Sequence, residues 1–221
     1  MSLYPNLVWV HMLLLVLWLG GDLGVFILGQ HFRRRSYSLP ERLTILRLLV
    51  ITDLGPRFAW ALMVPVSMSL LHAGGWWPAL PFGVVLLAWG IGLGWSWLVW
   101  DAHAHDMTPR AGRNRRVEGW LRVALAGFYL GLGGVSLVAG APLEEDWLAA
   151  KALLFGLIFV AAIMIDRRFK PVGPLLMALI EKGSSDATEV PLRATMDATR
   201  RWVLLVYALL VTSWLGSVKP F

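Results

Sequence analysis

Tyr4-Pro-Asn-Leu-Val-Trp-Val-His11-Met-Leu-Leu-Leu-Val-Leu-Trp18-Leu-Gly-Gly-Asp22-Leu-Gly-Val-Phe-Ile-Leu-Gly29 is one apolar run interrupted by a histidine and an aspartate. It exceeds the ~20 residues that a helix needs to cross the hydrocarbon of a bilayer. At ~3.6 residues per turn, His11, Trp18 and Asp22 fall within about 40° of one another on one face. Ionisable groups are expensive in hydrocarbon, so they turn toward a bundle interior and mark functional positions. The run therefore predicts a membrane helix with a polar seam.

The rest of the composition agrees. Hydrophobic residues make up 57% of the chain and charged residues 15%, and the mean hydropathy is +0.64, which excludes an ordinary soluble domain. The chain has no cysteine, which removes disulfides, iron–sulfur clusters, thiolate metal sites and thiol catalysis. A net charge of +6 would point to nucleic acid in a soluble protein, but here the basic residues gather between apolar runs. The first run is too long for a signal-peptide core and no small-residue cleavage site follows it, so it counts as a span.

Six spans are expected, at about 5–29, 56–74, 80–101, 119–140, 147–165 and 201–218, forming a single all-α transmembrane domain over 1–221. Loop one carries Arg33, Arg34, Arg35, Arg42 and Arg47, and loop three carries Arg110, Arg113, Arg115 and Arg116. Loop five carries Arg167, Arg168, Lys170, Lys182, Arg193, Arg200 and Arg201. Loop two is uncharged, and loop four holds only Glu144, Glu145 and Asp146. This alternation places loops one, three and five in the cytoplasm and both termini outside.

Tryptophans follow the same scheme. Trp9, Trp76, Trp77, Trp147 and Trp214 are expected at the outer interface, and Trp100, Trp120 and Trp202 at the inner one. Trp18, Trp60, Trp89, Trp95 and Trp97 lie deeper. A deep indole needs a partner for its N–H or a cavity or flat ligand to line, unless it only packs helices together. Between spans, Ser38-Leu-Pro40-Glu41 opens a helix that runs to a kink at Gly55-Pro56. Pro174–Lys182 reads as a short interfacial helix, Lys182–Thr188 as flexible, and Pro191 as the start of a helix entering span six. Gly90, Gly92 and Gly94, with Gly127, Gly131, Gly133 and Gly134, suit close helix approach.

Depth sorts the polar residues into two sets. His11, His72 near the outer end of span two and Lys151 near the outer end of span five are expected to converge in the outer half. His31, Asp53, Arg57, Asp101, His103, His105 and Asp106 gather near the inner surface, with Asp22 about two turns in. An Asp22–Arg57 ion pair between spans one and two is one structural reading of that set. Neutral imidazoles ligate haem iron, copper or zinc. A haem would take His11 and His72 as axial ligands, Lys151 as a propionate partner and Trp18 as a wall. His103 and His105, flanked by Asp101 and Asp106 with His31 opposite, are candidates for a divalent ion, against simple solvation at the interface.

The pattern His11-x6-Trp18-x-Gly20-Gly21 resembles the first helix of a group of small bacterial membrane proteins. The group comprises the J-type protoporphyrinogen oxidase, the copper-resistance D family and the membrane domain of cytochrome-linked urate oxidases. Trp147-Leu-Ala-Ala-Lys151-Ala-Leu-Leu resembles a second helix of that oxidase, where a histidine usually precedes the lysine by two residues and this chain has Ala149. Six spans differ from the four typical of the oxidase and the eight usual in the other two. The resemblance implies a haem b-binding protein of the bacterial inner membrane.

Three functional readings follow. In the first, the chain binds haem b and acts in electron transfer or oxidation, possible as a membrane oxidoreductase, with a periplasmic cytochrome or dehydrogenase as partner. Asp22 then relays protons, and Arg57 neutralises propionate or substrate carboxylates. In the second, it transports copper or another metal ion, on the strength of Met12 beside His11 and of Met63 and Met68. In the third, it is a cofactor-free membrane anchor within a larger complex or oligomer.

Overall fold

The computed structural model describes residues 3–213, and among these every regular element is a helix: α1 Leu3–Phe32, α2 Leu39–Ala73, α3 Phe82–Ala104, α4 Pro109–Ala139, α5 Asp146–Phe169, α6 Val172–Lys182 and α7 Asp186–Thr212. Five helical segments are long and apolar enough to cross a membrane: Leu3–Phe32, Leu39–Ala73, Phe82–Ala104, Pro109–Ala139 and Asp146–Lys182. The chain is thus a multi-pass membrane protein in contact with lipid. The sixth expected span enters as the second half of α7, and its remainder, with Trp214, lies outside the described residues.

Local chemistry sets the helix ends. At the start of α2 the Ser38 N–H donates to the Glu41 carboxylate at 2.7 Å, satisfying a donor that the helix leaves open. Thr108 caps α4 by accepting from the Ala111 N–H at 3.3 Å. Gly140, with φ of 67°, closes α4 in the left-handed conformation. Ser185 starts α7, its N–H donating to Thr188 Oγ1 at 3.1 Å. That cap lies six residues before Pro191, the expected start, so Pro191 is an internal residue of α7 and much of the segment expected to be flexible is helix. The interfacial helix begins at Val172, two residues earlier than expected.

The helices pack in chain order, α1 on α2, α2 on α3, α3 on α4 and α4 on α5, after which α5 packs on α7 and α7 touches α1. Proline and glycine make two of these contacts. α2 stays helical through Pro56 and Pro65, and the ring of each proline nests on a glycine of a neighbour. A Cβ on Gly21 of α1 would stand 2.6 Å from Pro56 Cγ, and one on Gly92 of α3 would stand 2.7 Å from Pro65 Cγ. Gly133 and Gly156 bring α4 and α5 together in the same way, whereas Gly90, Gly94, Gly127, Gly131 and Gly134 face open space. Close approach thus uses a minority of the glycines in the two glycine-rich runs.

Aromatic rings fill the centre. Trp18 stacks on Trp60 at 5.6 Å, Trp60 meets Trp95 at 4.9 Å and Phe159 at 4.7 Å, and Tyr129 meets Phe155 at 4.7 Å. Of the deep tryptophans, Trp89 donates to Ser69 Oγ at 3.0 Å, and Trp97 is 56% exposed, where lipid would cover it. A second small core forms at the basic end of the bundle, from Phe32, Val172, Leu179, Leu192 and Met196. Beside it the buried Arg42 donates to Glu189 at 2.7 Å and to the Phe32 carbonyl at 2.8 Å, tying α7 to the α1–α2 elbow.

Close packing at Gly133 has a measurable consequence. A Cβ there would stand 2.7 Å from the Ala149 carbonyl oxygen and 2.8 Å from Leu153 Cα, both backbone atoms of α5. Gly133→Ala should therefore lower thermal stability in detergent by about 1–3 kcal/mol, the usual range for overpacking. Gly131→Ala, two residues away in open space, should leave it unchanged or slightly raised. Equal effects would rule out the α4–α5 contact as described.

Candidate functional site

At the end opposite the basic loops, α1, α2, α4 and α5 surround a cavity of about 220 Å³. α1 contributes Tyr4, His11, Met12 and Trp18, α2 contributes Met63, Ser67 and Met68, and α5 contributes Lys151 and Phe155. Its lining is mainly apolar, which is what makes its two basic groups conspicuous. His11 Nδ1 is buried and has no hydrogen-bond partner among the described residues. Lys151 is half-buried and lines the same cavity, and no described acid pairs with it. Buried polar atoms are nearly always satisfied, so an orphaned imidazole in one cavity with an unpaired ammonium asks for a partner beyond the described residues.

Aromatic side chains roof this space. The Trp76 indole donates to Tyr4 Oη at 3.2 Å and meets Trp147 edge-on at 5.6 Å. Trp147 in turn donates to Glu145 at 3.2 Å. Trp18 and Phe155, 6.3 Å apart, close the inner side. The expected trio is therefore assembled in part: His11, Trp18 and Lys151 share the cavity, and His72 does not. His72 is exposed, with Nδ1 donating to the Leu80 carbonyl at 3.2 Å and the ring against Phe82 at 5.7 Å. One position past the cavity-lining Leu71 turns a side chain by about 100°, toward the α2–α3 connection.

Asp22 and Arg57 lie elsewhere. Asp22 is about 16 Å from His11 along α1 at ~1.5 Å per residue. Its carbonyl accepts from Tyr207 at 2.8 Å. The Asp22–Arg57 pair does not form. Arg57 binds both oxygens of Glu118 at 2.9 Å and lies 3.9 Å from Asp53, away from the cavity. A role for Arg57 on propionates of a ligand in the cavity is thereby removed.

Glu118 is the centre of a network that span assignment passes over. It accepts from Trp95 Nε1 at 3.0 Å and from Arg122, and Arg122 donates to Asp166 at 2.5 Å while lying over the Trp60 ring at 5.3 Å. The side chains of Glu118 and Arg122 are 3% and 6% exposed. The signal for them was present, since Glu118 and Arg122 are four apart on a helix and of opposite charge. Their position at the edge of span four concealed it, because charges there read as interfacial.

The expected metal group at the basic end does not assemble. Asp101 is bound by Arg110 at 2.7 Å and Asn114 at 2.6 Å, His105 Nδ1 donates to the Asp101 carbonyl at 3.0 Å, and His31 pairs with Tyr37 at 2.8 Å. His103 lies against Trp100. Among the described residues no three His, Asp or Glu side chains are placed to hold a metal ion. No family model matches this chain, nor does any curated protein or solved structure.

The network can be tested through its unpaired partner. Glu118→Ala leaves Arg122 and Arg57 short of a carboxylate and should cost about 3–5 kcal/mol, as removal of one member of a buried ion pair does. Adding Arg122→Met should recover part of that loss in thermal unfolding of the detergent-purified protein. A Glu118→Ala protein as stable as wild type would show that the pair is not buried.

Proposed function

We propose that the chain is a six-span protein of the bacterial inner membrane, with both termini outside, that binds haem b in the outer cavity and acts in electron transfer or oxidation. The observation that carries this reading is the unpartnered His11 imidazole, set in an apolar, aromatic-walled cavity with an unpaired lysine. A neutral imidazole is a suitable axial ligand for haem iron. The ammonium of Lys151 complements a propionate. Trp18 and Phe155 exclude water from the inner side, and Asp22, about three turns beyond His11 along α1, would relay a proton from the basic end. Bound haem supplies one-electron redox chemistry.

His72 is not a ligand in this proposal. The thioethers of Met12, Met63 and Met68 line the same cavity and would be further ligands for the group. At about 220 Å³ the cavity is below the ~300–1,000 Å³ usual for ligand pockets, so a macrocycle requires α1 to move away from α5. An electron partner such as a periplasmic cytochrome or dehydrogenase completes the reading.

A second reading is favoured by one specific feature. Met12, Met63 and Met68 line the cavity together with His11, and thioethers with an imidazole suit Cu(I). The two readings separate in one experiment, the reduced-minus-oxidised visible spectrum and metal content of protein purified from haem-replete cells. Wild type should show Soret and α bands that His11→Ala abolishes and that Lys151→Met retains with a shifted midpoint potential. A colourless protein with stoichiometric copper would replace haem by the metal reading. A colourless, metal-free protein would leave the anchor reading.

A further inference from the structure

Arg167, Arg168 and Lys170 follow directly on the apolar length of α5, and Lys182 ends α6. All four are exposed, and none forms an ion pair with a described residue. Other arginines at the same end are divided, since Arg34, Arg113 and Arg116 are also exposed and form no ion pair with a described residue, while others have acids. Arg33 pairs with Asp197, Arg35 with Asp186, Arg42 with Glu189, Arg110 with Asp101 and Arg115 with Asp106. Asp166, next to Arg167, is held by Arg122 of α4, and Glu181 stands beside Lys182. Arg167, Arg168 and Lys170 therefore have no acid paired with them among the described residues.

The same corner has an apolar edge. Val172 and Leu179 fix α6 against Leu192 and Met196 of α7, so its other faces are set in direction. Phe169, Met177 and Ile180 remain exposed there. Cations immediately beyond a membrane-spanning helix sit at headgroup depth, where they attract anionic lipid; Arg167, Arg168 and Lys170 stand there together, and Lys182 lies at the far end of α6. Apolar side chains beside them are what an interfacial helix lays against acyl chains.

We propose that the α5–α6 corner is a binding site for an anionic phospholipid, whose phosphate is held by Arg167, Arg168 and Lys170 and whose acyl chains lie against Phe169, Met177 and Ile180. This site is independent of the haem reading and lies at the opposite end of the bundle. The experiment is thermal unfolding of the full chain in detergent with added phosphatidylglycerol, phosphatidylcholine or inorganic phosphate. Phosphatidylglycerol should raise Tm, and the other two should not. Arg167→Gln/Arg168→Gln/Lys170→Gln should weaken the apparent phosphatidylglycerol affinity by about tenfold or more. Arg113→Gln/Arg116→Gln, which removes two exposed, unpaired cations of α4, should retain it.

Three results would overturn the proposal. They are an equal response to phosphatidylcholine, a response to inorganic phosphate alone, and equal loss in both variants, which would mean attraction to net charge without a site. All substituted residues are exposed, so each variant is expected to fold, and the Tm without lipid reports whether it has.

Discussion

Glu118 joins three helices through one carboxylate and a fourth through Arg122. It lies on α4, accepts from Arg57 of α2 and Trp95 of α3, and meets Arg122, which reaches Asp166 of α5. A helix bundle in lipid has little hydrophobic driving force between helices, because the solvent is as apolar as the side chains. Polar contacts and close packing must then decide which faces meet. A carboxylate buried with two guanidinium groups admits few alternatives, since any rearrangement that separates them strands a charge in low dielectric. The nesting of Pro56 on Gly21 and of Pro65 on Gly92 adds a steric register to the same helices.

The network and the cavity are separated by aromatic rings. Trp18 lines the cavity and stacks on Trp60, Trp60 lies under Arg122, and Trp95 donates to Glu118. One end of the bundle thus holds an ionic network whose charges are paired, and the other an apolar space in which His11 and Lys151 have no partner among the described residues. The difference between them is functional in kind. A lattice whose charges are paired stabilises the fold, while an imidazole and an ammonium without partners are free to meet something else. At the surface of the basic end some arginines, such as Arg33, Arg110 and Arg115, have acids, whereas those of the α5–α6 corner form no ion pair with a described residue.

The long apolar helices and the shared depth of His11 and Lys151 were legible from one-dimensional pattern, because span length and residue depth follow directly from the rise of a helix. Pairing was less legible. Arg57 is near Asp22 in depth but turns to Glu118, which is distant in sequence and sits on another helix. His72 has the right depth and the wrong direction. The start of α7 was misplaced because Pro191 is a stronger local signal than the Ser185–Thr188 cap, yet the cap is what satisfies the open N–H groups.

The sequence by itself therefore determined an all-helical, multi-pass chain and the residues costly enough in lipid to need a reason. Hydropathy, charge and rise per residue act locally, so they survive without knowledge of neighbours. Only the tertiary structure decided which helices face one another, that Glu118 and Arg122 are buried rather than interfacial, and that Met63 and Met68 join His11 while His72 does not. Those outcomes depend on the rotation of each helix about its axis. That rotation is set by pairwise packing and by the requirement that buried charges find partners, and neither can be read along a single helix.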